Sequence, residues 1–144
     1  MTAEQELREI REALDAGNRT LQCLKQARAE LNSASNFGVA DMLGFDLIGG
    51  IGKHMKMNKA KAQLEEAKRQ VVLFQHELKD VSVRLQFQVN IGDFLTFADF
   101  LFDGIFTDVI VQSKISDAKE QVDRAIWQVE QIINDLYRME REVL

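Results

Sequence analysis

Residues 57–81, MNKAKAQLEEAKRQVVLFQHELKDV, and residues 115–139, ISDAKEQVDRAIWQVEQIINDLYRM, decide the fold. In the first, Met57, Ala60, Leu64, Ala67, Val71, Phe74, Leu78 and Val81 recur at alternating steps of three and four. In the second, Ile115, Ala118, Val122, Ala125, Val129, Ile132, Leu136 and Met139 repeat the pattern 58 residues further on. Such steps line apolar side chains along one stripe of an α-helix, the seam on which long helices pack side by side. The correspondence widens to a gapless alignment of residues 37–78 with 95–136, in which eleven of 42 positions are identical. Self-similarity at a fixed period constrains a whole fold, and two copies predict a pseudo-symmetric bundle rather than a solenoid.

Upstream, Leu7, Ile10, Leu14, Gly17, Leu21, Leu24, Arg28 and Leu31 form a third seam, predicting an N-terminal helix over 2–33. Thr2 and Gln5 have the spacing of a capping box, and Gly17-Asn18 predicts a kink or break. Asn58 and Ser116 sit where a cap or tight corner would open the other long helices. The apolar stretches 37–55 and 94–112 are each long enough for a helix of about five turns. Neither reads as a membrane span. Asp99, Asp103 and Asp108 lie in the second, and a carboxylate near a bilayer centre costs about 2.5 to 3.5 kcal/mol. In 81–91, VSVRLQFQVNI, apolar and polar residues alternate strictly, the period of a strand with one buried face. A lone strand predicts an extended strap over the bundle, or pairing with its copy in a second subunit through Val83, Leu85 and Phe87.

Composition narrows the class. The chain has 144 residues, 46% hydrophobic and 28% charged, enough for a single folded domain with its own core. It contains no proline, so nothing of that kind interrupts long helices. A net charge of −5, with basic residues mixed among acids, argues against a nucleic-acid surface. Cys23 is the single cysteine, which excludes an internal disulfide. With an opening that has no apolar signal core, this predicts a cytoplasmic protein.

Several constellations could carry chemistry. Thr96, Asp99, Asp103 and Thr107 share one helical face, and Asp41 is the repeat-mate of Asp99. Facing carboxylates in a bundle build di-metal sites, but these usually add a Glu-x-x-His motif, and neither His54 nor His76 follows a glutamate at that spacing. A solvated or ion-paired stripe is the simpler reading, and no metal is assigned. Gly49, Gly50 and Gly52 precede Lys53, His54 and Lys56, a turn that could cradle phosphate, although not at P-loop spacing. Helices crossing closely at small residues explain it more simply. Glu120 and Asp123 have an ExxD spacing without the second acidic motif that nucleotide pyrophosphohydrolases need, so they read as a charged outer face. Cys23, beside the first seam, reads as a packed thiol. The phenylalanines of 94–106 would suit a bilayer interface, but the accompanying acidic charge favours core packing.

Two stretches resemble a family of uncharacterised bacterial cytosolic helical proteins. The matches are Gly38, Asp41, Gly49, Gly50, Lys53, His54 and Lys56, then Phe97, Ala98, Asp99, Asp103, Gly104, Gln112, Ser113 and Lys114. Phe37 and Ala40 stand where that family has tryptophans. The resemblance implies no reaction and no catalytic residue; it marks the two apolar stretches as the place to look.

The sequence thus predicts an all-α, pseudo-symmetric two-repeat bundle: a helix at 2–33, repeat one at 37–78, a strap at 81–91 and repeat two at 95–136. No catalytic signature and no cofactor site stands on it. The expected function is a non-enzymatic protein–protein interaction module, an adaptor or regulator, homodimeric through Val83, Leu85, Phe87 and Trp127. The alternative is an enzyme or sensor with an acidic metal or phosphate site around Asp41, Lys53, His54, Asp99, Asp103 and Lys114. A peripheral membrane protein is a third reading.

Overall fold

The computed structural model describes residues 2–42, 46–85 and 115–144, with side chains placed over 2–33, 59–81 and 118–144. Three α-helices account for the described residues: α1 (Ala3–Met42), α2 (Asp46–Leu85) and α3 (Ile115–Val143). The capping box forms as expected. Gln5 N–H donates to Thr2 Oγ1 at 3.2 Å and Thr2 N–H donates to Gln5 Oε1 at 2.9 Å, satisfying two otherwise orphaned donors. Glu4 and Glu6 lie in the first turn, where carboxylates favour the positive end of the helix dipole.

The core is built from the predicted seams of α2 and α3. Ala60, Leu64, Ala67, Val71, Phe74, Leu78 and Val81 are all buried, as are Ala118, Val122, Ala125, Val129, Ile132 and Leu136. The predicted seam of α1 is buried or partly buried throughout, and the structure widens it. Its fully buried positions are Ile10, Ala13, Leu24, Ala27, Leu31 and Thr20, with Leu14 and Ala16 close behind, while Leu7, Leu21 and Arg28 are only partly covered. The reason is that α1 packs against both other helices, so its buried arc is wider than one stripe. One close approach falls at a glycine.

Gly17 lies at such an approach, and it does not break the helix: α1 runs unbroken through it. A Cβ built there would stand 3.0 Å from Ile133 Cγ1 of α3 and 3.0 Å from Phe74 Cζ of α2. Three residues on, the buried Thr20 hydroxyl lies 2.8 Å from the Ala16 carbonyl and 3.0 Å from the Gln70 carbonyl, a polar tie between α1 and α2. On the other flank, Arg11 Nε donates to Glu140 at 3.1 Å and Arg28 Nε to Asp123 at 2.8 Å. Partner numbers fall along α2 and α3 as they rise along α1. Both helices are therefore antiparallel to α1 and parallel to each other.

Two expectations about element boundaries are overturned. The stretch 37–55 is not a short helix of its own: α1 continues to Met42 and α2 starts at Asp46, so Asn58 is inside α2 rather than at its start. Residues 81–85 are the end of α2, not the start of an extended strap, and Val81 is a core residue. Val81 and Leu85 continue the three-four series from Leu78, so the helical period extends into the alternating segment. Residues 86–91, like the stretch 94–112, lie outside the described residues. Among those that are described, no helix is long and apolar enough to cross a membrane.

Candidate interaction face

Burying one face of α3 against the bundle turns the opposite face outward, and Trp127 stands on it. Val122, Ala125, Val129, Ile132, Ile133 and Leu136 fill the inner side, and Ile126 is partly buried against the core. Ile133, next to the seam position Ile132, is also a core residue. Trp127, the only tryptophan in the chain, is 64% exposed. It is framed by charge: Arg124 pairs with Glu120 at 2.9 Å one turn before it, and Arg138 pairs with Asp135 at 3.3 Å beyond. Toward α1 the face ends at Tyr137, 40% exposed, whose hydroxyl lies 3.5 Å from Asn18 Nδ2, at the limit of hydrogen bonding. Glu120 therefore sits in a charged outer face, as its spacing suggested, while Asp123 ties α3 to α1.

The opposite flank of α1 is acidic. Carboxylate oxygens of Glu9 and Glu12 on α1 and Glu77 on α2 all lie within 4.8 Å of one another. Burial, then the charges of Glu12, Asp80 and Glu9, push the Glu77 carboxyl above its ordinary range, with Arg19 opposing. Such a group can hold a proton or accept a cation. Sequence reasoning missed it because Glu12 and Glu77 are far apart in the chain. Only the register of α2 on α1 brings them together. Further along the same flank, burial and then the nearby Glu66 raise the Cys23 thiol above its ordinary range. Glu66 itself accepts from Arg69 at 2.9 Å and from Gln70 at 3.1 Å.

Of the residues singled out from sequence, Asp41 lies near the end of α1, and Lys53 and His54 lie in the early turns of α2. Gly49, Gly50 and Gly52 are within that helix, so they do not form the amide-lined turn that a phosphate cradle would need. Val83 and Leu85 belong to the last turns of α2, which removes the strand pairing proposed through them. Asp99, Asp103, Lys114 and Phe87 lie outside the described residues.

No family model, curated protein or solved structure matches this chain.

Proposed function

We propose that this chain is a non-enzymatic protein–protein interaction module, an adaptor or regulator of the cytoplasm, homodimeric in form, with Trp127 at the centre of its contact face. The observation that carries this reading is a tryptophan left 64% exposed on the outer face of a helix whose inner face is fully packed. Tryptophan is prominent among the residues that carry binding energy at protein interfaces, and burying one gains far more than burying the charged side chains around it. The resemblance to bacterial cytosolic helical proteins, on the residues already named, belongs to the same proposal.

So does the finer architecture, a pseudo-symmetric pair of repeats with coiled-coil-like helices. It is supported by burial at both members of Ala60/Ala118, Leu64/Val122, Ala67/Ala125, Val71/Val129, Phe74/Ile132 and Leu78/Leu136. Phe74 and Ile133, at nearly equivalent positions, also approach the same glycine of α1.

The test compares crosslinked pull-downs from host lysate and solution mass for wild type, Trp127→Arg and Arg69→Ser. Arg69 is the repeat-mate of Trp127 and is also exposed. The expected outcome is a stoichiometric partner, either a second copy or another protein, that is kept by Arg69→Ser and lost by Trp127→Arg. Identical recovery and mass for all three proteins would remove Trp127 from the contact and sink the reading.

A further inference from the structure

We draw no further inference here: the strongest candidate, the cluster of Glu9, Glu12 and Glu77 carboxylates where α1 and α2 pack, carries nothing, because grouped surface carboxylates are common without a ligand and no second feature among the described residues points to one.

Discussion

Replacing Gly17 by alanine sets two opposing effects against each other at the point where all three described helices meet. In an exposed helix the change would stabilise, since glycine in a helix interior costs about 1 kcal/mol relative to alanine. Here the new methyl would stand 3.0 Å from Ile133 Cγ1, 3.0 Å from Phe74 Cζ and 3.1 Å from Phe74 Cε1. Carbon atoms at rest are about 3.5 to 4.0 Å apart, so each contact is short by roughly half an ångström or more. Phe74 is 0% exposed and Ile133 5%, so both are held among core side chains and any retreat disturbs their packing. They also approach from different helices, so moving one does not relieve the other. Overpacking of this kind costs about 1 to 3 kcal/mol.

With two neighbours to displace, the upper part of that range applies, and Gly17→Ala loses about 1 to 2 kcal/mol net after the propensity gain. Urea unfolding followed by helical circular dichroism, at one fixed protein concentration, should show a lower midpoint with an unchanged slope. Phe74→Leu should cost less in the Gly17→Ala background than in wild type, because it gives the methyl room, and the double-mutant cycle would show that coupling. A Gly17→Ala variant more stable than wild type by the full propensity gain would refute the crowding argument.

Thr20→Val removes the hydroxyl shared with the Ala16 and Gln70 carbonyls while keeping its shape, so it should cost about 0.5 to 1.5 kcal/mol; an unchanged urea midpoint would mean the tie between α1 and α2 contributes nothing. For Glu77 the folded-state pKa is raised, so its contribution to stability is fully present below the ordinary glutamate range and is lost as pH rises through the folded value. Glu77→Gln should therefore raise the midpoint at pH 7 to 8 and have no such effect under acid conditions; equal effects at both pH values would contradict the sign. The Arg28–Asp123 pair is partly exposed, so a cycle of Arg28→Ala and Asp123→Ala should give a coupling of about 0.2 to 1 kcal/mol that shrinks in high salt; a salt-independent coupling would show it is not ionic.

The phase of α2 and α3 was legible in the sequence because each seam is a single stripe repeated over 25 residues, and every predicted position whose side chain is placed is at least partly buried. The capping box was legible for a similar reason, since it is a local exchange between residues three apart. The seam of α1 was legible to the same degree, but its full width was not, because hydrophobicity ranks Leu21 above Thr20, while packing between two neighbours buries Thr20 and leaves Leu21 at the edge. Trp127 was marked from sequence as a candidate contact, and its exposure agrees with its place off the seam.

What the sequence determined by itself is the helical class and the inward seams of the three described helices, because a periodic pattern and the absence of proline act through the local geometry of one helix. Helix lengths, the use of Gly17 as a contact and the meeting of Glu9 and Glu12 with Glu77 were decided only by the tertiary structure. Glycines do not stop a helix by themselves, since a cost of about 1 kcal/mol apiece is small beside the burial of a long apolar face. Contacts between residues far apart in the chain depend on how one helix is set against another, and no single helix carries that information in its own period.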